Sequence, residues 1–200
     1  MVFLDTTYVL LILLGISFLS NATPFFGASY TLLGAGYLAQ SSFDIGTFSA
    51  VVLVTAIGAS IAKIVIYFGG LGFGTKLREN KNVQLLGKWL GERSFYTAVF
   101  IASLIPVLPL DDYIYIGAGA NRGKLLPMLA ATAPAKIAKS AIEIWLEITG
   151  LFAINGVIRG LGLNSLTLSI VLSLGFVVLG YVLYKIDWQE ILNGRLKRAQ

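Results

Sequence analysis

Long apolar runs separated by short polar or proline-containing breaks dominate the chain. The clearest run covers 46–69 and carries a single charge, Lys63. At about 1.5 Å per residue it reaches about 35 Å, enough to cross the roughly 30 Å hydrocarbon core of a bilayer as a helix. Further long apolar runs cover 125–150 and 166–184. The pattern therefore predicts three helices that span a membrane.

Two further pairs of apolar runs are too short to span. They cover 6–20 and 25–40 near the N-terminus, and 94–105 and 113–120 in the second half. Asn21 and Pro24 break the first pair, and Pro106 and Pro109 break the second. Proline ends or kinks a helix because it lacks a backbone N–H and clashes with the preceding turn. Each pair therefore predicts a re-entrant hairpin whose two arms enter and leave on the same side.

The two halves of the chain present the same features in the same order. Gly-Ala-Gly occurs at 34–36 and at 117–119, and Ala-Lys-Ile follows at 62–64 and at 135–137. Chance recurrence of short Gly and Ala motifs in an apolar chain is the alternative explanation. The order favours an internal repeat.

These elements together predict an all-α integral membrane protein. We expect an inverted repeat of two re-entrant hairpins, each followed by a transmembrane helix, and one C-terminal transmembrane helix. The predicted units are repeat 1 at 1–70 (hairpin 6–40, helix 46–69), an amphipathic interfacial linker at 71–93, repeat 2 at 94–150 (hairpin 94–121, helix 125–150), and a C-terminal helix with a basic tail at 151–200.

Composition agrees with this class of protein. The chain is 56% hydrophobic and 12% charged, with a mean hydropathy of +0.81, whereas soluble domains average about 45–50% apolar and about 25% charged residues. It contains no His and no Cys, which excludes disulfides, thiolate catalysis, His-dependent triads and the commonest zinc ligands. We therefore expect no enzymatic activity, no metal site and no cofactor.

The distribution of positive charge predicts an orientation. With three crossings, 11 of the 15 Lys and Arg residues lie on one side, and only Arg159 lies on the other. The positive-inside rule then places the N-terminus outside and the C-terminus in the cytoplasm of a multi-pass protein of the cell membrane. Hairpin 1 enters from outside and hairpin 2 from the cytoplasm, an arrangement typical of secondary transporters. The net charge of +5 is explained by this topology, so we expect no nucleic-acid partner.

Two adjacent carboxylates, Asp111 and Asp112, lie inside sequence that otherwise suits a membrane interior. An ionised Asp near the bilayer centre costs roughly 2.5–3.5 kcal/mol on insertion scales, so the pair indicates a function. We expect them just ahead of the returning half-helix, where backbone donors and the helix dipole favour negative charge. A purely structural helix cap is the alternative.

Lysines occupy matching positions in the two long helices, at Lys63 and Lys136. Lys136, Lys139, Glu143 and Glu147 recur at helical spacing along one face of the second. These lysines either neutralise the aspartates or bind an anionic phosphate, and the alternative is snorkelling or an internal salt bridge. Asn21 at the first hairpin tip would add uncharged polar coordination.

Three segments together carry a family resemblance: NATPFF at 21–26, GASIAKIVIYFGG at 58–70 and IPVLPLDD at 105–112. The chain resembles the DedA/VTT superfamily, also called the SNARE-associated Golgi protein family, in its small archaeal and bacterial form. The resemblance implies two inverted re-entrant hairpins with flanking spans. It also implies transport of polyprenyl-phosphate or phospholipid, proton- or sodium-coupled in several bacterial members and scramblase-like in eukaryotic ones.

The chain departs from well-studied bacterial members of that family. Its first hairpin carries no carboxylate, and Ser103 and Pro109 stand near the positions of expected arginines. By position, the resemblance carries over Asp111 and Asp112, together with the two lysines of the long helices.

The sequence therefore predicts a transporter, a flippase or scramblase, that moves a phosphate-bearing lipid headgroup. The predicted binding residues are Asn21, Pro24, Lys63, Pro106, Pro109, Asp111, Asp112, Lys136 and Lys139. The lipid, the coupling ion (proton or sodium), the protonation of the aspartates and assembly into a homo-oligomer stay open. A membrane scaffold or assembly factor that does not transport is the alternative function.

Overall fold

The computed structural model describes residues 6–23, 30–41, 44–105 and 110–160, with side chains up to residue 150, and five positions between 178 and 186. Within these ranges every regular element is an α-helix, which confirms the all-α class. The predicted C-terminal helix and basic tail lie largely outside the described residues. So do Pro24, Pro106 and Pro109, and with them the tips of both predicted hairpins.

The described ranges contain eight helices. They are α1 Thr6–Ala22, α2 Tyr30–Gln40, α3 Ile45–Gly72, α4 Gly74–Leu77, α5 Lys81–Trp89, α6 Arg93–Leu104, α7 Leu110–Ala120 and α8 Leu125–Gly160. Helix α8 continues ten residues past the predicted end at residue 150. A glycine does not end a helix by itself when helix-compatible residues follow it, as they do here up to Gly160.

Helix α3 begins at a well-formed cap. The Asp44 carboxylate accepts hydrogen bonds from the backbone N–H groups of Thr47, at 2.8 Å, and Gly46, at 3.1 Å. The Thr47 hydroxyl also donates to it. These hydrogen bonds hold the pKa of Asp44 below its usual value. Among the described helices, α3 is the one that is both long and apolar enough to cross a bilayer by length and composition.

Each of the two long helices, α3 and α8, packs with helices from both predicted hairpins. Helix α1 packs along α3, and α6 packs along α8. The second arms cross over, because α7 packs on α3 and α2 packs more extensively on α8 than on α3. In the described part of the chain, the two halves are therefore held together because the second helix of each half packs on the long helix of the other.

Glycines allow neighbouring helices to cross α3 with their backbones in close contact. A Cβ atom added at Gly70 would collide with the Ile116 carbonyl of α7, and one added at Gly119 of α7 would collide with the Tyr67 carbonyl of α3. Nearer the N-terminus of α3, a Cβ atom added at Gly58 would lie 2.6 Å from the Leu14 carbonyl oxygen of α1. Small residues at such crossings let helix backbones approach without side chains between them.

Apolar side chains form two core clusters, one at each end of the bundle. The first contains Ile66, Tyr67, Phe95, Val99, Tyr115, Ala118 and Met128. The second contains Leu13, Ala35, Leu38, Val51, Val52 and Ile144. Along α8 the two clusters lie on either side of Lys136, so a polar layer separates them.

The outer surface of the bundle is also apolar. An exposed stripe follows one face of α3 at helical spacing: Leu53, Ile57, Ile61, Val65, Phe68 and Leu71. From Leu53 to Leu71 it is about 27 Å long. Large aliphatic and aromatic side chains are also exposed on α1 and α8, including Leu11, Leu19 and Leu146.

The segment between α3 and α6 wraps the C-terminal end of α7. The Arg78 Nε donates to the Ala120 carbonyl at 2.6 Å, and the Asn121 amide donates to the Val83 carbonyl at 2.8 Å. Asn80 caps α5 through its side chain. Val83 is buried, whereas Lys81 and Lys88 face outward. This one-sided burial gives α5 the predicted amphipathic character.

Candidate functional site

Four charged side chains meet in the polar layer between the two apolar clusters. We call Lys63, Asp111, Asp112 and Lys136 the aspartate–lysine cluster. Each is at most 4% exposed. Lys63 comes from the buried face of α3, the aspartates from α7, and Lys136 from α8. Full burial of four ionisable groups is expensive unless they are paired, so their mutual contacts hold the layer together.

Asp111 is shared between the two lysines. Its Oδ2 atom lies 3.0 Å from the Lys63 Nζ and 2.7 Å from the Lys136 Nζ. Lys63 also forms an ion pair with the Asp112 Oδ1. Asp111 therefore links α3 to α8, the long helices of the two halves.

The aspartates lie in the first turn of α7, not ahead of it as expected. Helix α7 begins at Leu110, three residues earlier than the predicted half-helix. In this position the carboxylates face the positive end of the helix dipole. At the other end of α7, Arg78 binds the carbonyl of Ala120, and its cation complements the negative end of the dipole. Both ends of α7 thus carry charges of the sign that the helix favours.

A chain of buried hydroxyls continues from the cluster. The Tyr115 hydroxyl lies 2.8 Å from the Thr132 hydroxyl, which lies 3.3 Å from the Ser103 hydroxyl. Tyr115 is four residues after Asp111 on α7, and Thr132 is four residues before Lys136 on α8. These two bridges therefore set an antiparallel register between α7 and α8. Between α7 and α8 the distance is spanned by long side chains. Between α7 and α3 the two backbones are in close contact.

We expect Tyr115→Phe to lower the free energy of unfolding by about 1 kcal/mol, the usual net contribution of a buried hydrogen bond. The substitution removes the hydroxyl that ties α7 to Thr132 and keeps the ring. Tyr8→Phe is the matched control, because Tyr8 is exposed on α1. Unfolding in detergent micelles followed by circular dichroism measures both. Equal stability of the two variants would contradict a stabilising role for the hydroxyl chain.

A second polar contact joins α2 to α8. The Thr31 hydroxyl donates to the Glu147 Oε1 at 2.9 Å. The neighbouring Tyr30 hydroxyl is buried and lies within electrostatic range of Glu143, Lys63 and Asp111. The start of α2 is therefore held by a hydrogen bond, whereas the start of α7 is held by ion pairs.

Asn21 does not join the aspartate–lysine cluster directly. It lies in the last turn of α1, which extends two residues past the predicted break, and its amide donates to the Ser17 carbonyl at 2.9 Å. The Asn21 side chain lies beside that of Tyr30. The rest of the predicted tip of hairpin 1, residues 24–29, lies outside the described residues.

Lys139 extends the charged face of α8 beyond the cluster. It is 8% exposed, and its Nζ lies 3.9 Å from the Glu143 Oε1, a long ion pair. Its charge also acts on Asp111 and Lys136. With Glu143 included, the layer holds three basic and three acidic side chains, so it is neutral when all are ionised.

The structure thus brings four of the predicted residues into direct contact and places Lys139 beside them. Their role in binding stays a prediction. Sequence reasoning missed Tyr30, Tyr115 and Thr132. The positions of Tyr115, four residues from Asp111, and of Thr132, four residues from Lys136, are the signal that points to the latter two.

No three His, Cys, Asp or Glu side chains in the described helices are arranged to hold a metal ion. Comparison of the chain with protein-family models, curated proteins and solved structures finds no match. The geometry of the site indicates its chemistry: two ammonium groups contact one carboxylate in a buried layer, and a third lies about one helical turn further along α8.

Proposed function

We propose that this chain is a multi-pass protein of the cell membrane that translocates a phosphate-bearing lipid headgroup, in the manner of the DedA/VTT superfamily it resembles. The cargo is a polyprenyl-phosphate or a phospholipid, and the protein acts as a flippase or scramblase. The observation that carries the proposal is the Asp111 carboxylate shared between Lys63 and Lys136. It provides ammonium groups for a phosphate and a carboxylate that a phosphate can displace.

The distribution of polarity supports a membrane location. In a water-soluble protein, lysine and aspartate are almost never fully buried, and contiguous exposed apolar surface is small. Here the charged cluster is buried, and a stripe of branched and aromatic side chains about 27 Å long is exposed along α3. That length is close to the roughly 30 Å hydrocarbon core.

The depth of the cluster supports a site near the bilayer midplane. Lys63 lies nine residues before the end of α3 at Gly72, which is about 14 Å along the helix axis. Lys136 lies eleven residues after the start of α8 at Leu125, which is about 17 Å. Both values are near half of the hydrocarbon thickness. A headgroup bound there is midway between the leaflets.

The exchange of hairpin arms supports an inverted arrangement of the two halves. Each long helix packs with the first arm of its own hairpin and the second arm of the other. Relative movement of the halves therefore has to break contacts across the aspartate–lysine cluster. We propose that the N-terminus is outside and the C-terminus cytoplasmic, with hairpin 1 open to the outside and hairpin 2 to the cytoplasm.

The proposed step is an exchange of anions. A phosphate entering the layer binds Lys136 and recruits Lys139, whose ion pair with Glu143 is long. Asp111 then loses one of its two cations, and an uncompensated carboxylate in a low-dielectric interior is unfavourable. Uptake of a proton or a sodium ion by Asp111 restores neutrality. Coupling of headgroup movement to an ion thus follows from charge balance.

The test is transport by Asp111→Asn with Asp112→Asn in proteoliposomes that contain a fluorescent polyprenyl-phosphate or phospholipid. We expect headgroup movement to fall at least about tenfold, because the displaceable anion is lost. Asp44→Asn is the matched control, since Asp44 is an exposed carboxylate at the N-terminal cap of α3. Size-exclusion chromatography checks that each variant is folded. Full activity of the double variant would refute the mechanism. A wild-type protein that moves no lipid would favour the scaffold function.

A further inference from the structure

We propose that the end of the bundle formed by the linker and the turn after α7 is a binding surface for anionic lipids. Its basic residues are Lys76, Arg78, Lys81, Lys88, Arg93, Arg122 and Lys124, here called the basic collar. The proposal uses the membrane orientation given above but does not require transport. Its chemistry is attraction between exposed ammonium or guanidinium groups and the phosphates of a bilayer surface.

Two segments of the collar account for the whole formal net charge of the chain. The segments 75–93 and 121–124 contain seven basic and two acidic residues, a net charge of +5. The remaining residues contain eight of each sign, so they contribute nothing to the formal net charge of +5. A charge concentrated in this way acts as a local field, whereas the same charge dispersed over the surface would not.

The fold holds the two segments of the collar together. Asn121 donates to the Val83 carbonyl, and Gly87 and Gly123 lie against Asn121 and Leu90 respectively. Arg122 and Lys124, from the turn after α7, therefore lie next to α5. The Asn82 amide binds the Ile186 carbonyl, which brings a further exposed lysine, Lys185, to the same end.

Exposed apolar side chains accompany the collar. Phe73 is 68% exposed, Trp89 42% and Leu126 77%. Phe73 follows directly on the exposed stripe of α3, so the collar lies at the end of the apolar surface that faces lipid. Aromatic residues next to basic ones at the border of an apolar surface are typical of the membrane–water interface. A headgroup layer is the partner that satisfies both kinds of side chain.

The seven basic residues do not have the same role. Arg78 donates to the Ala120 carbonyl at 2.6 Å, so it stabilises the end of α7. The side chains of the other six are exposed, and we assign lipid binding to them.

The experiment measures energy transfer from Trp89 to pyrene-labelled lipid in proteoliposomes. Trp145→Phe and Trp188→Phe make Trp89 the only donor. Vesicles of phosphatidylcholine with about one-fifth phosphatidylglycerol carry pyrene on either lipid. We expect transfer to phosphatidylglycerol to exceed transfer to phosphatidylcholine at least about twofold at about 0.1 M salt, and to approach it at about 1 M, where the Debye length is a third as long.

Two charge variants test the lysines. Lys76→Gln, Lys88→Gln and Lys124→Gln combined should lower the ratio clearly, because each lysine near an anionic surface contributes about fivefold in binding. The same three positions changed to Arg keep the charge and should keep the preference. Equal transfer to both lipids in the wild type, or an unchanged preference in the Gln variant, would overturn the lipid-binding proposal alone. Absence of transfer to either lipid would place the collar away from the bilayer and overturn the proposed placement of the bundle in the membrane as well.

Discussion

Lys63→Met is expected to lower the free energy of unfolding by about 3–5 kcal/mol, the range found when one partner of a buried ion pair is removed. Lys63 contacts both aspartates. Without it, Asp111 retains Lys136, whereas Asp112 loses the lysine with which it is paired. Reversible unfolding in mixed detergent micelles, followed by circular dichroism, measures the loss.

A second substitution separates charge from packing. Asp112→Asn in the Lys63→Met background removes the carboxylate that has lost Lys63 and should recover at least about 2 kcal/mol. Lys88→Met is the matched control, because Lys88 is exposed on α5, and it should change the stability by less than about 0.5 kcal/mol. The buried ion pairs do not stabilise the fold if Lys63→Met is as stable as Lys88→Met. The same conclusion holds if the double variant is less stable than Lys63→Met alone.

The helices were largely predictable because apolar length and proline position dictate them. Helix α3 was predicted at 46–69 and covers Ile45–Gly72, since an apolar run of this length has few other structures available. The amphipathic character of α5 followed from the spacing of Val83, Leu86 and Lys88. The end of α8 was not predictable, because Gly150 is followed by residues that continue a helix as readily as a loop.

The composition of the site was more predictable than its geometry. Charges in an apolar chain have to find one another, and this argument selects Lys63, Lys136 and the aspartates without any coordinates. It does not reveal that one oxygen of Asp111 is shared by two lysines. That arrangement depends on the crossing of α7 with α3, which is set by tertiary packing.

The two Gly-Ala-Gly motifs show where the repeat is unequal. Gly119 packs against the backbone of α3, and Gly117 faces Leu86 of the linker. In the first half, Gly34 faces Val51 and Ile144, whereas at Gly36 no atom of the described residues lies within 4 Å of an added Cβ. The third residue of the motif is therefore enclosed in one half and open in the other. The inverted repeat as a whole stays a prediction. The difference between Gly36 and Gly119 can be tested by substitution.

Gly119→Ala is expected to destabilise the protein by about 3 kcal/mol, and Gly36→Ala to leave it unchanged or more stable. The methyl group at 119 would collide with the Tyr67 carbonyl and lie 3.1 Å from the Leu71 nitrogen, and overpacking against the backbone costs about 1–3 kcal/mol or more. At 36 the space is open, and alanine favours a helix over glycine by up to about 1 kcal/mol. Unfolding in micelles measures both. Similar effects at the two positions would contradict the close crossing of α3 and α7, because that crossing alone distinguishes them.

The crossing of α3 and α7 also positions Asp111 between Lys63 and Lys136. Gly119→Ala should therefore weaken the proposed lipid transport even where the variant remains folded, whereas Gly36→Ala should not.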